Sequence, residues 1–159
     1  MIDLIKINNV EAFTILEVMM MLTVIAILST SAFTAWHSYY QKLRLESVTK
    51  SLLSDIKYVQ QQSIITNLKH GIVFDLTNNC YYLIRDKAKP QILAQNKLTK
   101  VKLAETNLPN YNKLGFFGRG IFYKKFGTLD NRNGELKLKL NNKEERIVFS
   151  SNAGEVNIR

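Results

Sequence analysis

The longest run of apolar residues lies near the start of the chain. Residues 13–36 contain no Gly, no Pro and a single charge, Glu17. At 1.5 Å of rise per residue, a helix over this range is about 36 Å long, whereas the hydrocarbon core of a membrane is about 30 Å thick. Trp36, Tyr39 and Tyr40 follow, and such aromatic residues favour the membrane–water interface. The pattern predicts a transmembrane or filament-core helix over residues 13–36.

Apolar residues then recur at intervals of three and four, which is typical of an amphipathic helix. Glu46 and Lys50 are spaced for a favourable ion pair on one face of this helix. Gly71 follows Lys69 and His70, where a glycine commonly ends a helix. We therefore predict an amphipathic helix over 37–70, continuous with the first, that needs a globular domain against its apolar stripe. The stripe consists of Leu45, Val48, Leu52, Ile56 and Val59.

Beyond this glycine the apolar period changes to two, as in β-strands. Runs at 72–74 and 81–84 flank an Asn-Asn pair and predict a hairpin. Leucines at 136, 138 and 140 alternate with lysines, and turns are expected at 141–143 and 152–154, so the end of the chain predicts a β meander. The fold class is predicted to be α+β, with one long N-terminal helix packed on a small antiparallel β domain over 71–159.

The β domain is strongly basic. Of the formal net charge of +9, residues from Gly71 onward contribute +8, since they include 16 basic and 8 acidic residues. Such a surface attracts polyanions, for example nucleic acid, wall polymers or anionic lipid. A basic surface that only keeps the domain soluble is the alternative. The candidate nucleic-acid contacts, near the aromatic residues Tyr123 and Phe126, are Arg119, Lys124, Lys125, Arg132, Lys137 and Lys139.

The sequence contains no pattern that indicates catalysis or a bound metal or cofactor. His37 and His70 are far apart in sequence, and no Cys or carboxylate cluster has ligand spacing. Cys80 is the one cysteine, so an internal disulfide is impossible, and we expect a half-buried strand residue. The glycines within 115–120 lack the strand-to-helix context of a nucleotide loop and predict a β turn.

Glu17 is the unusual residue of the apolar segment. A carboxylate in a membrane helix costs a few kcal/mol unless it lies near an end or has a cationic partner. Cleavage after Ala12 would create a free α-amine at Phe13, only four residues away. A neutral, protonated Glu17 near the interface is the alternative.

The order of a short polar leader over 1–12, then A-F-T-I-L-E, then about twenty apolar residues, resembles a type IV prepilin. The resemblance implies that a prepilin peptidase cleaves between Ala12 and Phe13 and that the new N-terminus at Phe13 is methylated. It also implies that Glu17 docks the subunit into a filament. Ala12 stands where the family usually has Gly.

The C-terminal pattern F-G-T-L-D, G-E-L-K-L and R-I-V-F-S-S-N-A-G-E-V-N-I is similar to minor pseudopilins of the GspH/FimT type. The whole chain most resembles the ComGD-like competence pseudopilins of Gram-positive bacteria. This implies a single-pass membrane protein with its C-terminal domain outside, which is extracted into a short pilus at the cell surface for DNA uptake. The implied partners are other pseudopilins, DNA and, indirectly, the assembly ATPase and the membrane platform protein.

Three alternatives stay open on the sequence alone. The first is a minor pilin of a type II secretion or adhesive type IV pilus system. The second is a surface DNA-binding receptor. The third is an ordinary secreted β protein whose signal peptide is cut after the T-S-A at 30–32.

Overall fold

A single helix, α1, forms the N-terminal part of the chain. The computed structural model describes residues 13–87, 89–113, 116–130, 133–150 and 155–158. Helix α1 runs from Ile15 to Thr66 and takes part in two units, Met1–Tyr39 and Tyr40–Arg159. The proposed leader and Ala12 lie outside the described residues. In the first unit, an 18-residue window of α1 is long and apolar enough to cross a membrane, and none of it is buried.

Helix α1 ends at Thr66 rather than at the predicted His70. Asn67 adopts a left-handed conformation with φ of 56°, which asparagine tolerates better than most residues. His70 and Gly71 instead begin the first strand. A Cβ on Gly71 would lie 2.3 Å from the Phe122 ring, so this glycine allows close packing between strands instead of ending the helix.

Nine described strands follow α1 and form two antiparallel sheets. The first sheet has the order β3-β2-β1-β6-β5 and the second has the order β4-β7-β8-β9. The strands are β1 (His70–Asp75), β2 (Cys80–Arg85), β3 (Gln91–Lys97), β4 (Lys102–Thr106), β5 (Asn110–Lys113), β6 (Phe116–Tyr123), β7 (Gly134–Leu140), β8 (Lys143–Phe149) and β9 (Val156–Ile158).

The predicted hairpin is confirmed as β1 and β2, whose pairing closes with Asp75 opposite Cys80. Asn79, at φ 53°, supplies the left-handed residue of its turn. The predicted alternation at 136–140 is also confirmed, because the leucines of β7 are buried and Lys137 and Lys139 are not. The turn expected at 152–154 lies outside the described residues.

The glycine-rich stretch was predicted to be a turn, but Gly118 and Gly120 lie inside β6. A Cβ on Gly118 would lie 2.5 Å from the Phe74 carbonyl oxygen of the neighbouring strand. The glycine therefore permits a close strand approach, which a turn-based interpretation did not anticipate. Gly115 lies outside the described residues.

The main core forms where the second half of α1 packs on both sheets. The predicted stripe is confirmed, since Leu45, Leu52, Ile56 and Val59 are buried and Val48 packs partly buried against them. Their partners include buried residues of both sheets, namely Ile72, Phe74, Leu83, Leu136, Leu138, Ile147 and Phe149. The predicted Glu46–Lys50 pair is confirmed as well, with a 2.7 Å contact on the helix surface.

Asn79 connects the two sheets. Its Nδ2 donates to the carbonyl oxygens of Leu98 and Val101 at 2.7 and 2.8 Å, and its Oδ1 accepts from the Leu103 amide at 2.8 Å. The partners lie on the segment that leads from β3 in one sheet to β4 in the other. One turn residue thus fixes the crossover between the sheets.

Candidate assembly site and basic surface

The N-terminus of α1 is capped by its own residues. The Glu17 amide donates to the Thr14 hydroxyl at 3.2 Å, and the Val18 amide donates to the Thr14 carbonyl at 3.2 Å. Thr14 is therefore the N-cap, and Glu17 occupies the third helical position, where an acidic residue favours the positive end of the helix dipole. This helix start was not predicted from the apolar pattern, although the T-x-x-E spacing signals it.

Glu17 lies on an exposed apolar surface of the first unit. Met20, Met21, Val24 and Ile25 line the same face of the helix. No Lys, Arg or His nitrogen of a described residue lies within 4.0 Å of its carboxylate. Phe13, whose amine is the predicted partner, is 68% exposed. The described residues therefore present a single acid among exposed apolar side chains.

The described part of the first unit leaves its large apolar side chains accessible. Met, Leu, Ile and Val residues there are each between 44 and 83% exposed. Contiguous apolar surface on this scale marks a membrane or protein contact. The exposed set consists of Ile15, Leu16, Val18, Met19, Met20, Met21, Leu22, Val24, Ile25, Ile27 and Leu28.

The structure distributes the predicted nucleic-acid contacts over both sheets. Arg119 lies in β6, and its Nη1 donates to the Leu108 carbonyl at 3.1 Å. Lys124 and Lys125 directly follow β6, whereas Lys137 and Lys139 lie on one face of β7. Arg132 lies outside the described residues.

Carboxylates neutralise three of these basic residues. Lys124 pairs with Asp130 at 3.1 Å, Lys139 pairs with Glu144 at 3.0 Å, and Lys137 pairs with Glu105. Hydrogen bonds and charge from the lysines lower the pKa of Glu105 and of Glu144 below the ordinary value. These three lysines therefore already have acidic partners, which a polyanion would have to displace.

Lys125 differs from these three lysines, because no carboxylate of a described residue pairs with it. Its Nζ lies 5.2 Å from the centroid of the Phe126 ring. Phe126 is itself 74% exposed. An exposed ring beside an amine is the combination that stacks on nucleobases.

An ion-pair chain joins the end of the helical segment to the first sheet. Lys69 contacts Asp130 at 2.5 Å and Asp86 at 3.4 Å, and Asp86 also contacts Lys113 at 2.9 Å. The hydrogen bond from Lys69 holds the pKa of Asp130 below its ordinary value. Burial alone would lower the pKa of Lys69, but pairing with the two aspartates raises it. The paired residues are distant in sequence, so no sequence pattern predicts these ion pairs.

A second polar cluster fastens α1 to the edge of the first sheet. The Tyr81 hydroxyl donates to Asp55 Oδ2 at 2.6 Å, and Asn96 Nδ2 donates to the same oxygen at 2.9 Å. Burial, and then the hydrogen bond and charge of Asp55, raise the pKa of Tyr81. The cluster borders a groove of about 410 Å³ that Arg44 and Lys97 also line.

His70 and Cys80, which the sequence offered as candidate chemical groups, both lie in the interior of the β domain. His70 is buried, with Nδ1 2.9 Å from the Leu68 carbonyl and Nε2 3.1 Å from Arg85 Nε, which donates to it. Cys80 is a buried strand residue whose thiol donates to the Tyr82 hydroxyl at 3.4 Å. Across the described residues, no three His, Cys, Asp or Glu side chains form a group that could hold a metal ion.

One long N-terminal helix packed on antiparallel sheets defines a pilin-like fold, as predicted. The chain is similar to the type IV minor pilin FimU of Pseudomonas aeruginosa, with a TM-score of 0.57 and 11% identity over 76% of this chain and 92% of that one. It is also similar to the minor pseudopilin EpsH from the type 2 secretion system of Vibrio cholerae. That comparison gives a TM-score of 0.58 and 12% identity over 72% of this chain and 94% of that one. The sequence matches no protein-family model and no curated protein. At these identities the similarity shows the fold.

Proposed function

We propose that this protein is a minor pseudopilin subunit of a competence pilus, required to assemble the DNA-uptake apparatus in transformation. The observation that carries the proposal is the combination of a pilin-like fold with an exposed apolar helix whose lone charge, Glu17, has no cationic partner among the described residues. An apolar helix of this kind is stable in a membrane before assembly and among sister helices afterwards.

Glu17 acts as the docking residue in this proposal. An unpaired carboxylate in a water-free helix bundle is penalised, whereas one that faces an ammonium group is compensated. Prepilin peptidase would expose that ammonium group at Phe13 by cleaving after Ala12. Subunits related by a fixed axial step then place the amine of one subunit beside Glu17 of another.

The N-terminus of the protein from native membranes tests the proposal most directly. Mass spectrometry is expected to find Phe13 as the first residue, carrying a methyl group. A chain that retains residues 1–12 would overturn the assembly mechanism. A chain that begins at Phe33 would instead show a secreted protein that has lost its apolar helix.

The proposed location is the cell membrane, crossed once with the β domain outside, and then the cell surface. The assembly ATPase and the membrane platform protein act on the subunit indirectly, through the growing filament. Protease added to intact cells is expected to digest the β domain, while a cytoplasmic marker stays intact.

A minor pilin of a type II secretion or adhesive pilus is the alternative, since FimU and EpsH share the fold. Deletion of the gene distinguishes the systems. We expect transformation frequency to fall, with exoprotein secretion and surface adhesion unchanged. Loss of secretion or adhesion with normal transformation would favour the alternative.

Direct DNA binding, as in a surface receptor, is a second candidate function. Exposed Phe126 and its neighbour Lys125 favour it, because base stacking on an aromatic ring is worth about 1–3 kcal/mol. The full chain in detergent is expected to retard single-stranded DNA at low salt, and Phe126→Ala to weaken binding about fivefold or more. Lys139→Ala provides the comparison, because it removes one positive charge, leaves Glu144 unpaired and changes no aromatic ring, so its effect measures charge and not stacking. Absence of retardation at low salt would reject this function.

A further inference from the structure

Strand β3 forms an outer edge of the first sheet, with β2 on one side and no described strand on the other. With seven residues it is the longest edge strand of the two described sheets, since β4, β5 and β9 have five, four and three. In an antiparallel strand, alternate residues direct their amide and carbonyl groups away from the paired neighbour. Strand β3 therefore presents a row of backbone donors and acceptors that no described strand uses.

Most of β3 lacks the features that commonly protect a sheet edge. Residues 91–96 carry no charge, and a lysine occurs only at the last position, Lys97. The pairing with β2 is irregular at Leu93, but residues 94–97 pair regularly with residues 80–83. Charges, prolines and bulges normally discourage a further strand from pairing, so the edge over 94–97 is open to one.

The groove of about 410 Å³ beside Asp55 opens at this edge. Asn96 faces α1, because it pairs with the core residue Tyr81 and its side chain donates to Asp55. Gln95 and Lys97 lie on the opposite face of β3, since side chains alternate along a strand. Side chains from both faces line the groove, so the groove follows the free edge of the strand.

The groove carries an excess of positive charge. Arg44 and Lys97 line it, and no carboxylate of a described residue lies within 4.0 Å of either cation. Asp55 is the one acid among the described lining residues, and the neutral donors Tyr81 and Asn96 already hydrogen-bond to it. Two cations against one acid give a net charge of +1, so an acidic ligand fits the groove better than a basic one.

We propose that the edge of β3 and this groove bind an extended acidic segment of another protein by strand addition. Main-chain hydrogen bonds to residues 94–97 hold the segment as a further strand of the first sheet, while Arg44 and Lys97 bind its carboxylates. A helix does not fill this role, because its backbone groups already bond within the helix. The inference goes beyond the proposed function and is tested on the isolated chain, so either can fail without the other.

Peptide selection on the purified full-length chain in detergent tests the inference. From a phage-displayed library of random heptapeptides, we expect acidic sequences. Fluorescence anisotropy then measures the best-binding peptide beside two versions, each methylated at one of the two alternating sets of backbone nitrogens. Only one set faces β3, so one version is expected to bind about tenfold or more weakly and the other almost normally. A selection without binders, or equal affinities of the two methylated versions, would overturn the inference.

Hydrogen exchange locates the bound peptide. The peptide is expected to slow amide exchange within residues 91–97, because the outward amides gain hydrogen-bond partners. Residues 110–113, which form the opposite edge of the same sheet, are the internal control and should exchange at an unchanged rate. Protection at 110–113, or in the second sheet, without protection at 91–97 would contradict the inference.

A charge swap tests the role of Arg44. Arg44→Glu is expected to weaken the acidic peptide about tenfold or more, and a peptide with lysine in place of its acid should regain affinity for this variant. Lys42→Glu is the matched control, because Lys42 is exposed and lies outside the residues that line the groove. Circular dichroism checks that both variants fold. Equal losses from the two variants would show that general charge, and not the groove, attracts the peptide.

Discussion

Glu17 combines two roles that a single substitution would confuse. It holds the third position of a capped helix, and it is the lone charge of an exposed apolar segment. Both glutamine and valine keep the backbone amide that donates to the Thr14 hydroxyl, but glutamine keeps the polar side chain without the charge and valine loses both. The pair of variants therefore separates the polarity of the side chain from its charge.

We expect both Glu17→Gln and Glu17→Val to reduce incorporation into filaments about tenfold or more, since each leaves the neighbour's amine unpaired in an apolar interface. Quantitative immunoblotting of sheared filaments measures this, with total membrane protein as the reference. Normal incorporation of Glu17→Gln would show that the filament does not require the charge of Glu17.

Two buried tyrosines provide a second contrast at the residue scale. The Tyr123 hydroxyl is buried and has no hydrogen-bond partner among the residues that the structure describes, whereas the Tyr81 hydroxyl donates to Asp55. Tyr123→Phe is expected to preserve or raise the free energy of unfolding, and Tyr81→Phe to lower it by about 1.5–3 kcal/mol. Urea denaturation of the detergent-solubilised chain measures both, and a large loss from Tyr123→Phe would contradict the packing described.

At the scale of the elements, the β1–β2 turn contacts the connection between the two sheets through Asn79. Its side chain donates two hydrogen bonds to the segment between β3 and β4 and accepts one from the Leu103 amide of β4. Asn141 is the useful comparison, because it has the same φ of 53° in an exposed turn between β7 and β8.

Asn79→Gly is expected to lower the free energy of unfolding by about 2–4 kcal/mol, because it leaves polar backbone groups without partners. Asn141→Gly should change stability by less than about 0.5 kcal/mol, since glycine adopts a positive φ freely. Because both positions share their backbone conformation, the difference between the variants isolates the hydrogen bonds. Equal effects would show that Asn79 matters only for its φ.

The elements also show how far the sequence predicts this fold. The buried stripe of α1 and the hairpin follow from periodicity, because a period of 3.6 or 2 reflects which side chains one face can bury. The end of α1 does not follow from periodicity. As a helix stop signal Gly71 is stronger than Asn67, but Gly71 in fact packs against Phe122, which is distant in sequence. Glu17 stands out as a lone charge, whereas the ion pairs of Lys69 and the link through Asn79 exist only after folding.

In the molecule as a whole, the ion-pair chain couples stability to pH. The pKa of Asp130 is lowered from 3.8 by Lys69 first and then by Lys124. A carboxylate with a depressed pKa contributes stability that is fully present above 3.8 and is lost as the pH falls through its folded value. The pKa of Lys69 is raised above 10.5. The stability that this lysine contributes is therefore present at neutral pH and is lost only at strongly alkaline pH.

The contribution of Asp130 and Lys69 to the melting temperature is therefore expected to stay constant from about pH 8 to pH 5. Below about pH 4 the melting temperature is expected to decrease as Asp130 is protonated. Asp130→Asn should lower the melting temperature at neutral pH and flatten the acid-side decrease. Differential scanning calorimetry across pH measures both effects. If the melting temperature of Asp130→Asn decreases at acid pH by as much as that of the unmodified protein, other carboxylates cause the decrease.

The continuity of α1 has a mechanical consequence. The chain has no Gly or Pro between Phe13 and His70, and α1 runs from Ile15 to Thr66. Within the second unit, a force along α1 would act on the residues that the helix buries in the core. Rupture would then require Leu45, Leu52 and Ile56 to leave the core together. If assembly extracts the subunit from a membrane, as in the proposed function, the element that is pulled also contributes the central stripe of the hydrophobic core.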